Sequence, residues 1–184
     1  MIGGERNRHF KDEADLIVRE SDGMLKDRIS SSHVFIFSRS AFRSMQSTLY
    51  DKFGSGAAVI MYEMGQGYGR KLGSGMLKRG LSSERAFHEI EKFGYLAGWT
   101  DSHFRVLSDM ELECVARNSI FTIERPETKT KSCFFLAGAL AGNVSAMLNT
   151  EFRAEETQCV VGGHEVCKFR ILKQGGHEVK DRLD

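Results

Sequence analysis

The chain has 184 residues, 41% of them hydrophobic and 28% charged, which is the composition of an ordinary globular protein with room for one domain and its core. Lys and Arg (26) against Asp and Glu (25) leave a net charge of +1, so no global field favours nucleic acid or an acidic membrane surface. Met1 to Lys11 is polar where a secretory signal needs an apolar run, and the most apolar stretch, Cys133 to Leu148, is too short to span a bilayer and is broken by Gly138, Gly142 and Asn143. The expectation is a cytoplasmic protein with neither direct nucleic-acid nor membrane partners. Its four cysteines then stay reduced and read as metal ligands, redox groups or core residues before structural disulfides.

Residues 1–22 are polar, without apolar period, and read as an N-terminal arm. Gly23 to Ile29 and Ser32 to Phe37 read as short strands, the second rich in aromatic and β-branched residues. Ser40 is placed to cap a helix carrying Phe42, Met45 and Leu49 on one face. From Ala57 to about Gly73 a second helix is expected, with Ile60, Met64 and Leu72 near one stripe. Gly65, Gly69 and Gly73 fall four apart there and so line up on one helix face. Glycine costs roughly 1 kcal/mol against alanine in a helix, so three in register suggest close backbone packing against another element.

A third helix is expected from Ser83 to about Leu96, with Phe87, Ile90 and Phe93 inward. Two strands follow, one around Phe104 and Val106 and one alternating through Met110, Leu112, Cys114 and Ala116, with Ser108-Asp109 turning between them. Arg125 to Lys131 is a polar loop around the only proline, Pro126. Cys133 to Leu148 reads as a helix of small residues, and Phe152 to Val161 with Glu165 to Leu172 as a hairpin around Gly162-Gly163. The domain then spans 23–172 and the charged residues 173–184 form a tail. The order β-β-α-α-α-β-β-α-β-β predicts an α+β domain whose antiparallel strands pair locally.

A three-residue loop, Gly162-Gly163-His164, would set Val161 opposite Glu165 and Cys159 opposite Cys167. Directly opposed residues hold their Cβ atoms about 4.5–5.5 Å apart on one face, and such loops want a glycine in the left-handed conformation. Two thiolates about 2.3 Å from one tetrahedral ion lie about 3.8 Å apart, which this pairing accommodates. Spacing alone leaves three readings open: metal ligands, a regulatory disulfide, or buried hydrophobes. Glu156 lies three residues before Cys159, so on a regular strand the two would point to opposite faces; joint use requires a bulge or a strand end.

The run Cys133-Phe-Phe-Leu-Ala-Gly-Ala-Leu-Ala-Gly, then Glu156-x-x-Cys159, then Gly163-x-x-x-Cys167-x-Phe169 resembles the 4-vinyl-reductase-type domain of archaeal proteins and of the sensory modules of phenol-responsive transcription activators. Tyr62-Glu-Met-Gly-Gln-Gly-Tyr-Gly-Arg70 is similar to that family's glycine-bearing helix. The resemblance covers roughly 24–172 and is diagnostic over 133–169. It implies zinc held by Cys133, Glu156, Cys159 and Cys167, a choice that favours Glu156 over Glu155. It also implies the fold shared with TRAPP vesicle-tethering subunits, a twisted antiparallel sheet with packed helices, and a homodimer formed through the N-terminal half. Aromatic sensors of the family use a pocket lined by a His, a Trp and apolar side chains; His88, Phe93, Tyr95, Trp99 and Phe104 lie in the corresponding region and are the ligand-binding candidates for an apolar or aromatic small molecule.

Other features have plainer readings. Gly65-Gln-Gly67-Tyr-Gly69 lacks the full dinucleotide fingerprint and sits in a helical pattern. His164 reads as a solvated hairpin tip that could add a polar contact near a metal, and Cys114 as a core thiol or a redox partner. Arg70, Lys71, Lys78 and Arg79 read as the wet face of a helix. With four protein ligands and no open position the zinc would be structural, and the expectation is a small-molecule-binding or regulatory module rather than an enzyme. The alternatives are an enzyme or accessory acting on a tetrapyrrole vinyl group, and a zinc/thiol redox switch.

Overall fold

The computed structural model describes residues 17–28, 31–123, 129 and 131–175. An antiparallel meander comes first: β1 (Ile17–Arg19), β2 (Leu25–Asp27) and β3 (His33–Val34), in that order across a small sheet. Three helices follow, α1 (Arg39–Phe53), α2 (Gly56–Lys78) and α3 (Ser83–Leu96). The strands β4 (Asp101–Ser108) and β5 (Glu111–Arg117) come next, then α4 (Phe134–Leu148), β6 (Phe152–Gln158) and β7 (Cys167–Lys173). The last four strands form one antiparallel sheet in the order β4-β5-β7-β6. The fold is α+β, with β4 and β6 at the edges.

Strand β1 falls inside the segment expected as an arm, of which residues 1–16 lie outside the described part, as do 176–184 of the expected tail and most of the loop around Pro126. Helix α1 starts earlier than its spacing predicts. Ser38, not Ser40, is the cap: its hydroxyl accepts from the Ala41 amide at 3.1 Å. The buried face of α1 also differs, because Gln46 and Tyr50 are buried while Met45 is exposed. Gln46 Nε2 donates to the Phe121 carbonyl at 3.1 Å, so a hydrogen bond takes the inward position that apolar spacing assigned to Met45.

Helix α4 is the centre of the molecule. Nearly every residue from Leu136 to Met147 is buried, because α2 covers one side and the sheet the other. Burying a Leu, Val or Met side chain stabilises by about 1.5–3 kcal/mol, and α4 does this at Leu136, Leu140, Val144 and Met147. The glycine row of α2 explains how close its neighbour comes. A methyl group on Gly65 or Gly69 would overlap the backbone carbonyl of Phe135 or Ala139, and one on Gly73 would stand 2.6 Å from the Asn143 carbonyl. The relation is mutual, since Gly138 and Gly142 of α4 face the carbonyls of Tyr62 and Gln66. The glycine face thus serves the α2–α4 seam. It also turns α2 so that Met61, Leu72 and Met76 are buried while Met64 is exposed.

Helix α3 buries Phe87, Ile90 and Phe93, and packs against the edge strand β4. Along β5, Leu112, Cys114 and Ala116 face the core; Val106 of β4 and Met110 of the turn are exposed. Trp99 sits within a cluster of rings, 5.0 Å from Tyr68, 5.2 Å from Phe121 and 5.8 Å from Phe93.

Candidate metal centre and ligand cleft

The geometry of β6 determines what the last hairpin presents. Phe152, Ala154 and Glu156 point inward in strict alternation, and β7 does the same with Cys167, Phe169 and Ile171. Glu156 pairs with Phe169, but the next pair is Gln158 with Lys168, so Thr157 is an extra residue in a β-bulge. Its hydroxyl donates to the Lys168 carbonyl at 3.2 Å. The extra residue shifts the alternation by one and brings Cys159 to the same inward face as Glu156. A regular ladder would have turned one of them away.

The loop differs from the three-residue turn expected. Strand β6 ends at Gln158 rather than Val161, and β7 begins at Cys167 rather than Glu165. Val160–Gly162 forms a 3-10 turn instead, in which the Cys159 carbonyl accepts from both Gly162 and His164 amides. Gly163, at φ +87°, supplies the left-handed residue. Cys159 and Cys167 therefore face each other just beyond the last ladder pair, with sulfurs 3.8 Å apart. His164 is exposed.

Cys133 arrives from another direction, as the residue before the first turn of α4, with its sulfur 3.7 Å from that of Cys167. One ligand atom from each of Cys133, Glu156, Cys159 and Cys167 lies within 4.8 Å of all the others. All four residues are buried, none more than 3% exposed. Glu156 Oε2 accepts from the Ser132 and Cys133 amides at 2.8 and 3.0 Å, a carboxylate at a helix N-terminus where the dipole favours it. Ser132 Oγ lies 3.4 Å from the Cys159 sulfur and Ser119 Oγ 3.6 Å from that of Cys133. These two hydroxyls carry no spacing signal in the sequence.

The electrostatics of the cluster are those of acids crowded away from water. Burial, then contact with the Cys159 sulfur, pushes the Glu156 carboxyl up to about 7. Hydrogen bonding with Cys159 and Cys167, followed by burial, holds the Cys133 thiol far above the usual range. Hydrogen bonds from Cys133 and Cys167 pull Cys159 down, so the first negative charge of the group settles on that sulfur. Further ionisation puts like charges together in a dry site, which a cation would relieve.

This buried set of three cysteines and a glutamate could hold a metal ion, and two observations fit one. Glu156 Oε1 is buried and has no hydrogen-bond partner, a costly arrangement for a polar atom unless something else binds it. The sulfur separations of 3.7 and 3.8 Å match the edge of about 3.8 Å expected for thiolates around tetrahedral zinc.

The ligand-binding candidates are dispersed. His88 and Phe104 line a cleft of about 610 Å³ at the β4 edge of the sheet, together with Phe87, Glu91, His103 and Leu112. Phe93 and Trp99 belong to the aromatic core, and Tyr95 is half exposed. Leu148, the last residue of α4, also reaches this cleft, which puts it about 22 Å along the helix from Cys133 at 1.5 Å per residue. Spacing did not reveal Glu91 and His103: they sit on different elements and meet only where α3 packs on β4. Cys114 is fully buried, and burial with Glu91 nearby pushes its thiol above the usual range.

Residues 111–173 match the family model of the 4-vinyl-reductase (4VR) domain. Over 133 residues the chain is 29% identical to an uncharacterized protein of Methanocaldococcus jannaschii, covering 71% of this chain and 69% of that protein. Its fold is similar to the phenol-responsive sensory domain of the transcription activator PoxR with phenol, at a TM-score of 0.74 and 15% identity over 86% of this chain and 85% of that one. It is also similar to a trafficking protein particle complex subunit 3 from Naegleria fowleri covalently bound to palmitic acid (TM-score 0.58, 17% identity, 74% and 93% covered). A vinyl-4-reductase family protein from M. jannaschii gives 0.55, with 20% identity over 77% and 85%. The resemblance read from the glycine helix and the cysteine spacing, and the fold it implied, are therefore present in the chain.

Proposed function

We propose that this chain is a ligand-binding regulatory domain of the 4-vinyl-reductase type, with a structural zinc ion held by Cys133, Glu156, Cys159 and Cys167. The observation that carries the zinc reading is the buried, unpartnered Glu156 Oε1 among three sulfurs. Thiolates and imidazoles select zinc over harder cations, and four protein ligands leave no position for substrate. Bound there, zinc would supply charge neutralisation and a cross-link, joining the start of α4 to the end of the β6–β7 hairpin. The ligand-binding reading is supported by the likeness to a phenol-responsive sensory domain and by the cleft at β4, whose volume of about 610 Å³ falls among those of small-molecule sites. A homodimer in the cytoplasm completes the proposal. Phe35 and Ile36, 77% and 85% exposed on the N-terminal half, support a covered surface there.

Native mass spectrometry of protein purified without added metal tests the zinc reading, followed by a chelator and a thermal melt. The expected result is stoichiometric zinc and a fall in Tm on its removal. At free zinc 100-fold above Kd, binding stabilises by about 2.7 kcal/mol. Protein that arrives metal-free, takes up no zinc and melts unchanged would refute it. The sulfur distances also favour a second reading, a thiol switch in the metal-free state. Cys167 lies within reach of both other sulfurs, and a shift of under 2 Å brings either pair to the disulfide length of about 2.05 Å. Hydrogen peroxide would take the two thiol hydrogens and be reduced to two waters. Mass mapping after mild peroxide shows this switch if one disulfide forms with Cys167 as a member.

A further inference from the structure

The walls of the β4 cleft have a sign. Its floor is apolar, with the Phe87 and Phe104 rings 5.0 Å apart and Leu112 and Leu148 beside them. Its polar lining is one-sided: Glu84, Glu91 and Asp109 contribute carboxylates, His88 and His103 imidazoles, and no Lys or Arg is among the lining residues. Glu91 stands at the base, with its side chain only 6% exposed. It accepts from the Phe104 amide at 2.7 Å, closing the free edge of β4, and lies 2.9 Å from His103 Nδ1. His88 Nδ1 is 3.9 Å from its other oxygen. Both imidazoles are thus drawn to one buried carboxylate, and each is more than half exposed on the cleft side of α3 or β4.

We infer that this cleft takes a cationic amphiphile, a primary amine on an aromatic or aliphatic body. The inference rests on the reading that the cleft is the ligand site of the domain, and adds its ligand class. Carboxylates in a concave, low-dielectric surface focus a negative potential, and like charge brought against it costs several kcal/mol. Carboxylic acids and phenolates are therefore rejected. An ammonium gains from the rim carboxylates Glu84 and Asp109 and from the faces of Phe87 and Phe104, where a cation within about 6 Å of the ring is worth about 0.5–2 kcal/mol. The apolar body displaces water from the same floor. A neutral alcohol of equal size keeps the apolar gain and loses the electrostatic one.

The test uses three probes that share one body: 2-phenylethylamine, 2-phenylethanol and 3-phenylpropionate. Binding to the metal-loaded full chain is followed by calorimetry and by NMR shifts of residues around Phe87 and Phe104. The amine should bind at least tenfold tighter than the alcohol, and the carboxylate should not bind. Glu84→Gln with Asp109→Asn, both at exposed positions that leave the core intact, should bring amine and alcohol to equal affinity. If the alcohol or the carboxylate binds as well as the amine with shifts at the cleft, the amine assignment is overturned and the cleft stands as the ligand site. If none of the three binds, both fail together.

Discussion

Replacing Gly69 by alanine sets two effects of opposite sign against each other. Alanine gains up to about 1 kcal/mol over glycine in a helix interior. At Gly69, however, the new methyl meets the Ala139 carbonyl and the Asn143 amide of α4. Both obstacles are backbone, so no rotamer change relieves the overlap and the helices must separate. At the milder position Gly73 the methyl would stand 2.6 Å from the Asn143 carbonyl, where ordinary contact starts at 3.4 Å, so the required shift approaches 1 Å. A gap of 0.5–1 Å forfeits a quarter to a half of each dispersion contact across an interface, and overpacking costs about 1–3 kcal/mol. The expected net loss for Gly69→Ala is about 2 kcal/mol, or a Tm lower by about 4–8 °C for a chain this long. Gly67 is the internal control. It lies on the same helix with nothing within 4 Å, so Gly67→Ala should raise Tm by about 2–4 °C. Thermal melts of the two variants at fixed zinc decide the matter. Equal shifts, or a stable Gly69→Ala, would falsify the claim that the seam is closed by backbone contact.

Three further perturbations address the cluster and its surroundings. Glu156→Gln keeps an acceptor for the Ser132 and Cys133 amides and removes only the charge. Since even outer-shell changes weaken metal binding by about 10–100-fold, zinc affinity measured by chelator competition should fall at least that far, and an unchanged value would remove Glu156 from the ligand set. Deleting Thr157 shortens the Glu156–Cys159 spacing to two, so a regular strand then presents both on one face. The variant should keep its zinc by mass spectrometry, and its loss would show that the bulge does more than correct the alternation. Cys114→Ser buries a hydroxyl among apolar neighbours at a cost of about 1–3 kcal/mol. Denaturation should report that loss while zinc content and peroxide-induced disulfides stay unchanged; a missing disulfide would make Cys114 a redox partner.

What could be read in advance follows from the range of each cause. Periodicity along one element was enough for α3, for the glycine face of α2 and for the opposed Cys159 and Cys167. Even the bulge was implied, as the condition for Glu156 and Cys159 to share a face. Features that depend on two distant elements were not legible. Met45 looked like the inward residue of α1 until Phe121, 75 positions from Gln46, offered a carbonyl to the amide. The answering glycines of α4, Gly138 and Gly142, looked only like interruptions of an apolar run. Glu91 and His103 carry no joint pattern, because the edge of β4 brings them together. The early end of β6 at Gln158 has a local cause, the Cys159 carbonyl drawing two amides into a 3-10 turn, a choice that alternating residues do not express.

The α2–α4 seam has a mechanical consequence. Most helix interfaces meet through side chains, which can change rotamer and so absorb a displacement. Here carbonyl groups rest against glycine Cα atoms over two turns of each helix, and no torsion is available to take up slack. The two helices must therefore move as one rod. Its near end carries Cys133 and its far end Leu148, so a push on the cleft wall reaches the cluster as a tilt, undamped along the way. Amide hydrogen exchange on α2 and α4 should then rise and fall in step when the cleft is filled or the zinc withdrawn.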